Sequence, residues 1–360
     1  MSIFARSPYI VEISETGQDG SKLEVFIWNG TGSAPASPSY TLSKLIPASN
    51  NVKTYYNISP YIREYISWNT RQEIYNTFPA SQTTQWCNVQ LKRYKLDGGV
   101  YTLLSTNSYV AYDGFGWYEQ GYNYSPTYDI LHDEGTFFYY YDGTNPSSNS
   151  SRRAGHIMVK TSATATYKAK YTNLATAATF TQTLTINSIR DVPTVYENYY
   201  AGGNKLEITI DVLGTDVTVW EANFKPYENC RYTPVLCDFV NKYGCWQRTW
   251  FFAASNDTFS VENTEYNLMQ STFPNYNTLE GQRKVFNTTA KRSIKVNTDW
   301  VTESYNDLLE QLMTSERILL NNLPVKMNTK STELFKNINQ KMINYSLEFD
   351  FAFNAINNVI

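Results

Sequence analysis

The last apolar stretch of the chain limits its possible folds most sharply. Ile343, Tyr345, Leu347, Phe349, Phe351 and Phe353 alternate with Asn344, Ser346, Glu348, Asp350 and Ala352. Successive side chains of a strand point to opposite faces, so this spacing predicts one buried face and one that is wet or paired with a neighbour. The same period of two puts Tyr9, Val11 and Ile13 on one face of a strand and Leu23, Val25 and Ile27 on one face of the next, with Gln18-Asp19-Gly20-Ser21 as the turn. Further strand patterns run from Tyr40 to Lys44, Tyr109 to Tyr112 and Thr136 to Tyr141, and a hairpin joins Trp86–Tyr94 to Val100–Ser105 around Asp97-Gly98-Gly99.

The second half repeats the theme at Ile157 to Lys160, Thr166 to Tyr171, Phe180 to Ile186, Leu206 to Val212 and Val217 to Trp220. Asp238 to Phe252 reads as strand, tight turn, strand, and Asn321-Asn322 as a turn between two more. Helical spacing is rare. Ser59-Pro60 opens a short helix, with Ser59 expected as N-cap and Pro60 at the first helical position. Between Thr302 and Glu316, Tyr305, Leu308, Leu309, Leu312 and Met313 form one apolar stripe. Strands at intervals of roughly ten residues, joined by Gly, Asn and Ser turns, point to β-sandwiches.

With 360 residues the chain exceeds one ordinary core. The polar loop Asn145 to Arg153 is the expected boundary. The expected fold is therefore mainly β, with an N-terminal β-sandwich domain at 1–150. A C-terminal β-rich, sandwich-like domain follows at 151–360, its one prominent helix (about 302–316) packed on the sheet.

Charge and motif exclude several functions. A net charge of −3, spread without long blocks, is not the basic footprint of a nucleic-acid binder. No window approaches the roughly 18 apolar residues of a membrane span, so no membrane insertion is expected. The N-terminus has no signal-peptide core, which leads us to expect folding in a cytoplasm. Cys87, Cys230, Cys237 and Cys245 lack the close pairing of zinc sites and read as buried thiols; no metal or cofactor is expected. His132 and His156 sit in no nucleophile–base setting and read as structural. Asp113, Glu119, Asp129, Asp133 and Glu134, beside Trp117 and many tyrosines, are the candidate acids for a glycosidase reading. Phosphate-binding loops are missing from the sequence. The chain is not expected to be an enzyme.

The deviation that remains is 30 tyrosines. Tyr combines a flat apolar body, a polar tip and little rotamer entropy, which suits surfaces that a partner will cover. The densest aromatic and glycine segment, Tyr109 through Tyr128, nominates Tyr109, Tyr112, Trp117, Tyr118, Tyr122 and Tyr124 as interface residues. Subunit contact, packing of the loop on its own domain and contact with a glycan all remain open for it.

Several blocks in the second half resemble a known family. They are Glu228 to Val235, Phe239 to Gly244, Val296 to Leu309, Pro324 to Ser331 and Asn337 to Phe353. Together, over roughly residues 195 to 360, they resemble tail or baseplate-type virion structural proteins of phages infecting Bacteroidetes. That resemblance implies a virion component assembled in the host cytoplasm, whose partners are copies of itself and other tail proteins, in a hub, ring, adaptor or fibre-base role. It carries over no active-site residue. The alternative expectation is a receptor- or carbohydrate-binding module of the tail tip, with a host-surface glycan as partner.

Overall fold

The computed structural model describes residues 2–47, 53–67, 77–143, 154–227, 231–268, 279, 281–301, 303–333 and 343–356. The chain is mainly β. It divides into two compact units, Met1–Glu228 with Val240–Arg248, and Asn229–Phe239 with Thr249–Ile360. This corrects the expected division at 150/151. The loop expected as boundary, Asn145 to Arg153, lies outside the described residues, but strands on either side of it share a sheet.

In the first unit the strands are β1 (Ser2–Phe4), β2 (Ile10–Ser14), β3 (Gly20–Trp28), β4 (Tyr40–Leu45) and β5 (Lys53–Asn57). Helix α1 (Ser59–Arg63) precedes β6 (Trp86–Asp97), β7 (Val100–Tyr112) and β8 (Gly135–Tyr140). Then come β9 (His156–Lys160), β10 (Tyr167–Asn173), β11 (Thr179–Thr183), β12 (Ile189–Pro193), β13 (Asn204–Val212) and β14 (Thr215–Tyr227).

A sheet in the order β1-β7-β6-β3-β4 packs on the pair β2-β5. Val11 and Ile13 from β2 and Tyr56 from β5 share one core with Leu23, Val25, Ile27, Val89 and Leu91. This is the sandwich that the alternation required. The β6–β7 hairpin turns on Gly98 and Gly99, both at positive φ (56° and 82°), which fits the strand twist. In α1 the N-cap is Ile58, not Ser59, and no side chain caps the helix. The Ser59 hydroxyl is used elsewhere, accepting from the Tyr9 N–H at 2.8 Å and donating to the Ser7 carbonyl at 2.5 Å. Tertiary bonds win over the local cap.

The other sheets of this unit are β11-β10-β13-β14-β8 and the pair β12-β9. Tyr171 links them by donating its hydroxyl to the Pro193 carbonyl at 2.7 Å. β8 runs parallel to β14, Gly135 opposite Ala222, so residues before and after the expected boundary are hydrogen-bonded in one sheet. A second core joins Phe4, Trp86, Tyr112, Leu131, Met158, Ile189 and Cys245.

In the second unit the elements are β15 (Val235–Val240), β16 (Trp246–Phe251), β17 (Asn256–Asn267), β18 (Arg283–Asn297), α2 (Asn306–Met313), β19 (Ile318–Leu320), β20 (Leu323–Met327) and β21 (Ser346–Phe351). They form one sheet in the order β16-β15-β19-β20-β21-β18-β17, and the tip of the β15–β16 hairpin counts with the first unit. The expected helix is shorter than 302–316. A 3₁₀ turn, Glu303–Tyr305, leads into α2, Thr302 lies outside the described residues, and the Thr314 hydroxyl closes the end on the Glu310 carbonyl at 2.8 Å. α2 buries Leu308, Leu309 and Leu312. It is tied to strands by Tyr305–Thr249 and Tyr345–Asn306 hydrogen bonds, each 2.5 Å. On β21, Leu347 and Phe349 are buried, whereas Phe353, past the strand end, is exposed.

Candidate functional site

The aromatic segment after β7 is held down at its base. Asp113 accepts from Arg63 Nε at 3.0 Å, the Phe115 N–H donates to the Lys242 carbonyl at 2.7 Å, and the Gly116 N–H to the Ser7 hydroxyl at 2.9 Å. Trp117 stands edge-on to Phe115, their ring centres 5.1 Å apart. Its N–H is taken by the Gln120 side chain at 2.8 Å, which closes the 3₁₀ turn Tyr118–Gln120. Asn123 then adopts φ +57°, a backbone region Asn tolerates. Its amide grips the Ile10 backbone at both ends, accepting from the N–H at 2.6 Å and donating to the carbonyl at 2.8 Å. In this way a side chain covers part of the open edge of β2.

The six nominated residues separate into different environments. Tyr112 is fully buried in the second core of its unit, and burial drives its phenol far above the usual tyrosine range. It is removed from the interface set, because the end of β7 is buried on both faces, with Ala111 in the first core and Tyr112 packed among Phe4, Leu131 and Met158 in the second. Tyr109 packs edge-on against Tyr9 at 5.8 Å and Tyr124 lies tilted against Phe4 at 5.7 Å, so both are half-committed to their own unit. Trp117 is half-buried, while Tyr118 and Tyr122 are exposed, at 96% and 72%. Tyr122 lines a cavity of about 440 Å³ with Ile10, Glu12, Tyr55, Arg93 and Asn123. At its rim Lys53 donates to Glu12 at 2.8 Å.

Asp113, Asp129 and Asp133, three of the five acids that a glycosidase reading would draw on, are engaged separately. Asp129 accepts from Lys160 at 3.0 Å and from the Ser2 hydroxyl at 2.5 Å; Asp133 accepts from Lys242 and from the Tyr243 hydroxyl, both at 2.8 Å. His132 is buried, with burial lowering its pKa, and lies edge-on to Phe137 at 4.6 Å. His156 is buried 3.9 Å from Asp191. Cys87, Cys237 and Cys245 are buried, and burial pushes the Cys87 thiol up to about 12; Cys230 lies outside the described residues. Among the described residues no three His, Cys, Asp or Glu side chains converge on a metal site.

A surface that the sequence pattern did not reveal lies in the second unit. All twelve residues of β17 are exposed, and β17 is the edge of the seven-stranded sheet. β18 pairs with β21 only over Ser293–Asn297; from there to Arg283 its strand partner is β17. That stretch of about ten residues makes a ribbon roughly 30 Å long. Residues opposite one another share a face. Ile294, opposite Phe349, is buried, and the face continues through Ala290 opposite Val261 and Arg292 opposite Phe259. Phe259 and Val261 are 56% and 49% exposed, with the Arg292 guanidinium 5.8 Å from the Phe259 ring centre. Past a register shift, Phe286 is left without a partner residue on β17 and is also exposed. The apolar face thus outruns the core that covers it. Phe259 and Val261 two residues apart were the available signal, diluted by Asn, Thr and Glu on every side.

No protein-family model matches the chain, and a search of the curated proteins finds no match.

Proposed function

We propose that this chain is a structural subunit of a bacteriophage tail that works by docking neighbouring subunits and catalyses no reaction. The observation that carries the reading is the β17 edge. It offers a row of backbone donors and acceptors along twelve exposed residues, with Phe259 and Val261 standing bare on one face. Natural edges are normally blunted by Lys, Pro or a bulge in the edge strand, and β17 contains neither residue. Strand addition by a partner satisfies both the edge and the apolar face. β17 carries Asp257, Glu262 and Glu265 and no basic residue, which favours a complementary strand bearing Lys or Arg. The resemblance of residues 195 to 360 to tail and baseplate-type proteins supports the same reading, and the exposed Tyr118 and Tyr122 supply a further contact surface on the first unit.

Electron microscopy of virions labelled at the C-terminus of this chain tests the assignment. Regular label on the tail is the expected result; label confined to the lysate overturns it. Phe259→Lys with Val261→Lys tests the docking surface. Both positions are exposed, so the direct loss should be about 0.5 kcal/mol each, with the new like-charge pair against Arg292 adding a little more, while incorporation into particles should be lost. Normal incorporation would move the docking role elsewhere.

A further inference from the structure

We infer that a pocket in the second unit, lined by Arg231, Tyr232, Asn297, Asp299, Trp300 and Asn344 over a floor of Ala253 and Ala254, binds a pyranose ring of a neutral saccharide. The cavity is about 490 Å³, within the usual range for small-ligand sites. Its main wall is Trp300, an indole left 60% exposed on a surface where large apolar side chains are otherwise costly.

Trp300 is presented rigidly. Asp299 sits at φ +67° and its carboxylate accepts from the Trp300 N–H at 2.8 Å. On one side the Thr298 N–H donates to the Tyr345 carbonyl at 2.9 Å, and the Tyr345 N–H to the Thr298 hydroxyl at 2.9 Å. On the other, Val301 and Ile343 exchange both backbone bonds at 2.8 Å. The left-handed residue is thereby fixed between two pinned neighbours, and the backbone that carries the indole is ordered before any ligand arrives, which lowers the entropy lost on binding.

The polar groups suit hydroxyls. Arg231, its guanidinium 5.2 Å from the Tyr232 ring centre, supplies donors, the Asp299 carboxylate supplies acceptors, and Asn344 supplies both. Asn297 spends its amide N–H on the Ala254 carbonyl at 2.5 Å, which fixes its remaining acceptor. One cation and one anion cancel, so the pocket selects no net charge. A pyranose has one flat C–H face for the indole and a rim of hydroxyls that both donate and accept, and the two alanines let it approach the backbone. This site is independent of the tail assignment and shares no lining residue with the β17 edge strand.

Saturation-transfer NMR on the full chain with cellotetraose, maltotetraose and mannotetraose tests it. Transfer to the ring protons of at least one is expected, with calorimetric affinity falling about tenfold or more in Trp300→Ala and partly retained in Trp300→Tyr. Tyr232→Ala should weaken binding with an unchanged melting temperature. No transfer from any of the three, or undiminished affinity in a folded Trp300→Ala, overturns the site. Either result leaves virion labelling unaffected, so the two readings fail separately.

Discussion

Gly244 offers the sharpest test of how the first unit is held together. At φ +76° it turns the hairpin whose flanking residues fix the base of the aromatic segment. A Cβ there would lie 2.5 Å from the Asp113 carbonyl carbon and 2.6 Å from the Gly114 nitrogen. Gly98, in the same unit, is the control: φ is +56° but a Cβ would meet nothing within 4 Å. Left-handed backbone costs an alanine roughly 1–2 kcal/mol, and that is the whole expected loss for Gly98→Ala. Gly244→Ala adds overpacking of about 1–3 kcal/mol, near the top of that range because main-chain atoms cannot rotate aside. If the hairpin lifts to relieve the clash, the Phe115–Lys242 and Tyr243–Asp133 hydrogen bonds go with it, each worth about 1 kcal/mol. We expect Gly244→Ala to exceed Gly98→Ala by at least about 2 kcal/mol. Scanning calorimetry of the full chain measures both in the same unfolding transition, since both residues belong to one unit. Equal shifts would refute the close approach.

Two further outcomes follow from burial. Phe349 is fully buried, 6.2 Å from Phe251 and opposite Ile294; removing the ring costs roughly 3–5 kcal/mol and a buried carboxylate adds to that. Phe349→Asp should therefore abolish the transition of the second unit, and wild-type melting would show the face assignment to be wrong. His132 is held neutral by burial, its pKa lowered from 6.5. The unfolded chain takes up a proton below about pH 6.5 that the folded chain resists, so stability should fall as pH drops from 7 toward 5. His132→Gln should flatten that slope in melting-temperature measurements, and an unchanged slope would assign the effect to other groups.

The sequence was most legible where one face is buried and the other is not. Tyr9, Val11, Ile13, Leu23, Val25 and Ile27 announce their strands because each is buried while Ile10, Glu12, Lys22 and Glu24 between them are not. Gly98-Gly99 and Asn321-Asn322 announce their turns because few other residues adopt positive φ at both positions. Parallel pairings such as β1–β7 and β8–β14 leave no local trace, since the partner is set by distant packing. That is why the division into units was misplaced. Composition also cannot separate Tyr112 from Tyr118: both are tyrosines in one aromatic run, and their burial depends on strand phase and on a core built from Phe4, Met158 and Cys245. Trp300 was visible only as part of a resembling block, because its exposure is decided by bonds to residues 343 and 345.

The β17–β18 ribbon was illegible for a different reason, and that reason bears on function. Its strands lack strict alternation because neither face of β17 is buried by its own chain. A pattern that would be unfavourable in an isolated protein makes sense if burial is completed from outside. Compare β4, another sheet edge: it is six residues long and carries Lys44, a charge that discourages a further strand. β17 is twice that length, without Lys or Pro, and the shift that leaves Phe286 over falls on its partner strand, leaving the outer edge continuous. Among its described residues the second unit therefore leaves its longest sheet edge unguarded and places bare apolar side chains beside it. Exposed edges of this kind invite aggregation, and under the docking role proposed above a partner strand would cover this one.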